Sequence, residues 1–151
     1  MIVGLAFHIV AAVIWVGGMF FAYVVLRPGV GALEPAVRLP LWHRVFARFF
    51  LWVWFCIAAL LASGFAMVFL VFGGFATVGP HVRAMMALGI VMMVVYAYVY
   101  FVLWPRFRRA VSTSDWGVAG KHLGQIRVLV GLNLALGLAT IVIGASGRYY
   151  G

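Results

Sequence analysis

Acidic residues are almost absent from this sequence of 151 residues, which contains only Glu34 and Asp115 but 11 Lys and Arg residues. Two carboxylates are too few for paired-acid catalysis or for a carboxylate-bridged metal site. Cysteine is equally scarce: Cys56 stands alone, which excludes an internal disulfide and any metal cluster of several cysteines. Charged residues of both signs amount to 9%, against about a quarter in a typical soluble domain. These shortages argue against a water-soluble domain.

Long apolar runs are what the sequence does contain, since 68% of its residues are hydrophobic. Four apolar segments are predicted to span a membrane, at about residues 2–26, 49–72, 82–104 and 128–146. Each is long enough to cross a hydrocarbon core of about 30 Å as a helix, and none shows the alternation of a membrane strand. The third segment is expected to end at Pro105. The prediction is a single all-α domain over residues 1–151, an integral membrane antiparallel four-helix bundle.

The distribution of cations predicts the orientation of the bundle. Between spans one and two lie Arg27, Arg38, Arg44 and Arg48. Between spans three and four lie Arg106, Arg108, Arg109, Lys121 and Arg127. Only Arg83 and Arg148 fall on the other side. Because cytoplasmic loops are enriched in cations, both termini are expected outside, in the periplasm, with the protein in the bacterial inner membrane. The cations are then expected to meet anionic lipid rather than nucleic acid. Span one is expected to be an anchor rather than a removable signal.

The histidines are the main groups capable of chemistry. His8 lies inside an apolar span, where an ionisable side chain usually faces protein or a cofactor. His81 begins span three on the same side of the membrane, and two imidazoles from different helices could ligate a haem iron from both faces. Arg83 would pair with a haem propionate, and Trp15 could wall the porphyrin. His81 is expected further out than His8, so sharing one iron would require a tilt. Alternatively, His8 could be a buried histidine that is hydrogen-bonded within the protein, and His81 and Arg83 could be ordinary polar residues at the membrane interface, without a cofactor.

His43 and His122 form a second pair, predicted on the cytoplasmic side. Each precedes a span by about a turn and a half and is flanked by cations. A second haem there would complete an electron path across the membrane. Histidines facing solvent or lipid headgroups are the alternative interpretation.

Copper is the competing chemistry. Met85 and Met92 recur seven residues apart on span three, below His81. Thioether and imidazole ligands suit Cu(I), so these three residues could pass an ion inward. Methionine also fills gaps in apolar cores, which explains the same positions by packing alone.

Small residues recur along two of the predicted spans. Span two carries Ala58, Ala62 and Ala66, and span four carries Gly131, Gly137 and Gly144. Small residues at such spacing let helix backbones approach closely. They could equally make room for a flat cofactor or for a second protomer in a homodimer.

The chain resembles the CopD-type membrane domain, a superfamily that also holds the small HemJ-type protoporphyrinogen oxidases. The resemblance covers nearly the whole chain and is carried by His8, Trp15 and Gly17-Gly18, a Pro-bearing basic loop, and His81-Val82-Arg83. The CopD-like group implies a four-helix inner-membrane module connected with copper uptake or resistance. The HemJ-type group implies b-type haem on the histidine that matches His8.

One position departs from the HemJ-type pattern, which has a lysine two residues beyond its third-span histidine where this chain has Arg83. Arginine stays protonated and cannot replace a ligating lysine, so His81 is the better second ligand. We therefore expect a b-type haem protein that transfers single electrons to or from a quinone or a periplasmic redox partner, with membrane oxidoreductase activity left open. Copper binding or transport, and a non-catalytic assembly subunit, are the alternatives.

Overall fold

The computed structural model describes residues 2–149, and this part of the chain consists of helices joined by turns and bends, without strands. The four long helices are α1 (Ile2–Gly29), α2 (Pro35–Leu70), α3 (Pro80–Ser112) and α4 (Trp116–Ser146), and a 3₁₀ turn follows at Gly147–Tyr149. Each helix is long and apolar enough to cross a membrane, which confirms the predicted fold class. Residues 1, 150 and 151 of the predicted domain and the side chain of Arg148 lie outside the described part.

The predicted stop of the third helix at Pro105 is wrong, because α3 continues to Ser112. Inside a helix, a proline ring clashes with the carbonyl of the residue four positions earlier. A wider, π-helical turn before the proline can relieve this clash, so that the helix continues. Such a π-helical turn is present at Val99–Leu103, directly before Pro105. A second one, at Phe21–Leu26, precedes Pro28 in α1. The helices therefore extend beyond the predicted spans at their basic ends.

Residue contacts establish that α1 packs antiparallel to α2 and to α4, and that α3 packs antiparallel to α4. His8 meets Ser63 while Gly18 meets Phe49, so α1 and α2 run in opposite directions. The glycines of α4 receive side chains from the other helices: Tyr23 at Gly131, Val16 and Met92 at Gly137, and Met85 at Gly144. The predicted close approach at these glycines is confirmed. Ala58, Ala62 and Ala66 of α2 are instead exposed.

Aromatic rings and two polar groups hold the centre of the bundle. The Tyr96 hydroxyl of α3 donates to the carbonyl of Phe50 in α2 at 2.8 Å. The Asn133 amide of α4 donates to the carbonyl of Met92 in α3 at 3.0 Å. Trp15 of α1 packs edge-to-face against Tyr96, with ring centroids 6.2 Å apart. Contacts between all four helices thus pass through this layer.

Replacing Asp115 with alanine should lower the free energy of unfolding by about 1 kcal/mol, since an N-cap carboxylate satisfies an otherwise unpaired amide. Asp115 caps α4 by accepting from the Val118 amide at 3.0 Å. Glu34 stands at the same position before α2 without a side-chain cap, so Glu34→Ala is a matched control. Thermal unfolding in detergent measures both variants, and an equal loss in the two would contradict the assignment of the cap.

Candidate functional site

His8 lies on the core-facing side of α1, three residues before buried Ala11 and seven before buried Trp15. Its Nδ1 is 2.9 Å from the hydroxyl of Ser63 in α2, and that hydroxyl is 2.5 Å from the carbonyl of Ala59. The single proton of the serine is donated to Ala59, so the oxygen accepts a hydrogen bond from His8. Nδ1 therefore carries a proton, and Nε2 is the nitrogen that has the lone pair when the ring is neutral.

The half-buried ring of His8 also faces a small residue. A Cβ atom built on Gly64 would lie 3.5 Å from Cε1 of the imidazole. In metal-binding histidines, the ring nitrogen that does not bind the metal commonly donates a hydrogen bond from its N–H group to a protein oxygen. This hydrogen bond orients the ring and selects its tautomer. Ser63 plays that part here. The sequence offered only a weak signal for Ser63, a lone hydroxyl within an apolar span.

His81 begins α3, where Gly79 is the N-cap and Pro80 occupies the first helical turn. Its half-buried ring packs against the end of α4, since a Cβ atom at Gly147 would lie 2.5 Å from Cγ and Cδ2 of the imidazole. Arg83 is exposed, and its guanidinium donates to the carbonyl of Ala76 at 3.2 Å. The structure therefore holds His81 and Arg83 beside the connection between α2 and α3.

The two histidines lie toward the same end of the bundle but at different heights. Val16 of α1 and Met92 of α3 both contact the position of Gly137, which gives a common level. His8 precedes Val16 by eight residues, about 12 Å along a helix, and His81 precedes Met92 by eleven, about 16 Å. His81 thus lies about one turn further out, as predicted. No described contact joins the two rings, and their shared coordination of an iron stays a prediction.

The three residues of the copper hypothesis share one side of α3. His81, Met85 and Met92 pack in turn against α4, at Gly147, Gly144 and Gly137. Met92 is buried and Met85 is half-buried. An imidazole and two thioethers therefore form a line that runs from the end of the bundle into its core.

His43 and His122 have separate neighbours. The His43 ring stacks on Trp104 at 5.1 Å between centroids, and Nδ1 of His122 lies 3.0 Å from Oε1 of Gln125. Within residues 2–149, no three His, Cys, Asp or Glu side chains form a group that could hold a metal ion. A second haem on this pair stays a prediction.

A family model and a known protein each match most of the chain. The family model described as copper resistance protein D (CopD) matches residues 43–146, more than half of the chain. An "Uncharacterized protein" of Aquifex aeolicus (strain VF5) is 31% identical over 142 residues, which cover 93% of this chain and 90% of that protein. No solved structure matches the chain significantly. His81 lies within the family match and His8 before it. With its four apolar helices, the chain is a multi-pass membrane protein that belongs to the CopD family.

Proposed function

We propose that the protein binds haem b in the bundle and transfers single electrons within the membrane. The observation that carries this proposal is the state of His8. Its Nδ1 donates to Ser63, whose hydroxyl is itself committed to Ala59, so Nε2 is the ring nitrogen that remains for a metal. A neutral imidazole is the form that ligates haem iron. His8 is the first axial ligand in this proposal.

His81 is the second axial ligand that we propose. It lies eleven residues before Met92 and fifteen before Tyr96, on the side of α3 that is buried at both positions. The core-facing sides of α1 and α3 meet at the contact between Trp15 and Tyr96. Both imidazoles therefore continue core-facing sides toward the same end of the bundle, and a difference of about 4 Å in height has to be taken up by tilt.

The environments of Arg83 and Trp15 are compatible with their proposed roles in haem binding. Arg83 is exposed at the end where His81 lies and uses one guanidinium nitrogen on Ala76, so its other nitrogens can reach a propionate. Trp15 is buried seven residues below His8 and can form an apolar wall. Haem, when bound, supplies a one-electron couple on its iron. A quinone or a periplasmic redox protein is the partner that we propose.

Copper binding is the second candidate, and a specific observation favours it. His81, Met85 and Met92 lie on the same side of α3, and the matching family is described as copper resistance protein D. Imidazole and thioether ligands suit Cu(I). In this alternative α3 supplies all of the ligands.

Cofactor analysis of the purified protein tests the two candidates against each other. The protein is expressed in cells supplied with both haem and copper, and its visible spectrum and metal content are measured after purification. We expect a Soret band, a reduced b-type spectrum and one haem per chain. If the wild-type protein instead contains stoichiometric copper and no haem, and Met85→Ala loses that copper, the haem proposal is contradicted and the second candidate is supported. Protein that contains neither would contradict both and favour an assembly subunit.

A further inference from the structure

A cavity of about 600 Å³ opens at the other end of the bundle, where α1 ends and α2 and α4 begin. Its apolar lining includes Leu39, Trp42, Phe46, Leu123 and Val130. The π-helical turn of α1 contributes Ala22, Tyr23 and Val24. The cavity does not include any of the four histidines or the methionines of the candidate site. An inference about it is therefore independent of the proposed function.

Three arginines from three helices line this cavity: Arg27 of α1, Arg38 of α2 and Arg127 of α4. No acidic residue is among the described residues that line it. Arg27 and Arg38 are half-buried and Arg127 is exposed, and cations that line one cavity without an acidic partner stabilise an anion between them. The charge of the cavity indicates an anionic ligand.

Two of these guanidinium groups are held in place by the protein. Arg38 donates to the carbonyls of Gly31 at 3.0 Å and Leu33 at 3.3 Å. Arg27 lies over the ring of Tyr23, 5.2 Å from its centroid. Both retain further N–H donors, which match the oxygens of a phosphate in two-pronged geometry. Arg27 and Arg38 are thus oriented before a ligand arrives.

Glycines of α4 form one side of the cavity. A Cβ atom on Gly120 or Gly124 would meet nothing within 4 Å, whereas one on Gly131 would lie 2.9 Å from the Tyr23 ring. Glycine is unfavourable inside a helix, and close packing explains its use at Gly131. Packing within this chain does not explain Gly120 and Gly124. Both line the cavity, where the missing side chains leave room for a ligand.

We propose that this cavity binds an anionic phospholipid, with the lipid phosphate between Arg27, Arg38 and Arg127 and the adjoining acyl chain against the apolar lining. A ligand with an anionic head and an apolar body satisfies both halves of the cavity, which a free anion does not. Basic pockets between membrane helices recognise lipid headgroups in this way. The orientation predicted from the cations places the site in the cytoplasmic leaflet.

Native mass spectrometry of the full chain in neutral detergent, titrated with phosphatidylglycerol and with phosphatidylcholine of the same acyl chains, tests the proposal. We expect one phosphatidylglycerol per chain, bound at least 10-fold more tightly than phosphatidylcholine. The triple variant Arg27→Gln, Arg38→Gln, Arg127→Gln should lose this preference. The matched control Arg44→Gln, Arg108→Gln, Arg109→Gln removes the same charge from exposed positions that do not line the cavity and should keep it.

A second variant changes the shape of the cavity without changing its charge. Gly124→Leu places a side chain in open space, so the bundle should remain folded while phosphatidylglycerol binding falls at least 10-fold. Equal binding of both lipids, or equal loss in the two triple variants, would overturn the proposal. Competition by inorganic phosphate at the same affinity would show a free anion instead. Loss of haem or copper, but not of lipid, in the cavity variants would assign the cavity to the cofactor.

Discussion

Replacing His8 with alanine is expected to yield a folded protein without a Soret band. The imidazole is the axial ligand that we propose, and its Nδ1 is already bound by Ser63, which leaves Nε2 for the iron. Alanine removes both the ligand and the hydrogen bond. Because His8 is only half-buried near the end of α1, the bundle should survive the change. The visible spectrum of the purified variant, normalised to protein, measures the effect.

Two further variants separate ligation from a general effect of losing a histidine. If His8 and His81 hold the single haem, His122→Ala, which removes an imidazole that pairs with Gln125 on α4, should keep the full haem content. Ser63→Ala keeps the ligand but removes its hydrogen-bond acceptor. Loss of such a supporting partner weakens metal binding by about 10- to 100-fold, and it should also shift the reduction potential. A His8→Ala protein with the wild-type spectrum and potential would refute the assignment of His8.

Replacing Gly137 with leucine is expected to disrupt the bundle. A Cβ atom at this position would lie 2.7 Å from Cγ2 of Val16 and 3.2 Å from Cε of Met92. Both neighbours are buried, at 6% and 4% exposure, and they come from two different helices. Overpacking of a close-packed core lowers stability by about 1–3 kcal/mol, and a leucine between three helices should reach at least the upper value. Thermal unfolding and size-exclusion chromatography in detergent provide the measurement.

Gly17→Leu is the matched control for this substitution. Gly17 is exposed in the middle of α1, and a Cβ atom there would meet nothing within 4 Å. Leucine also favours the helix more than glycine does, so the melting temperature should not fall. If both leucine variants were equally destabilised, the contact at Gly137 would not be the cause.

Local chemistry made much of the fold predictable. Apolar runs without alternation predicted four helices, and the glycines of the last run predicted close approach, which the contacts of Gly131, Gly137 and Gly144 confirm. The predicted end of the third helix at Pro105 was wrong because the rule that proline ends a helix considers one residue only. A π-helical turn at Val99–Leu103 accommodates the ring, and packing of the continued helix stabilises it. Nothing in the local sequence distinguishes this outcome from a stop.

The candidate site was predictable only in its residue types. His8 was singled out because an imidazole in an apolar span is unfavourable without a partner, and His81 because it begins span three on the same side of the membrane. Ser63, 55 residues away from His8, became its partner through the antiparallel packing of α1 and α2. The cavity bordered by Arg27, Arg38 and Arg127 was not predicted, since each arginine was interpreted only as a determinant of orientation.

The sequence by itself determined that this chain forms helices suited to a membrane, because hydropathy and helix length depend only on the order of residues along the chain. It also determined which few side chains can take part in chemistry, because so few polar groups are present. The tertiary structure decided which nitrogen of His8 is protonated and that three distant arginines border one cavity. Both depend on the register between helices, which is set by side-chain packing across the bundle and cannot be deduced from one helix at a time.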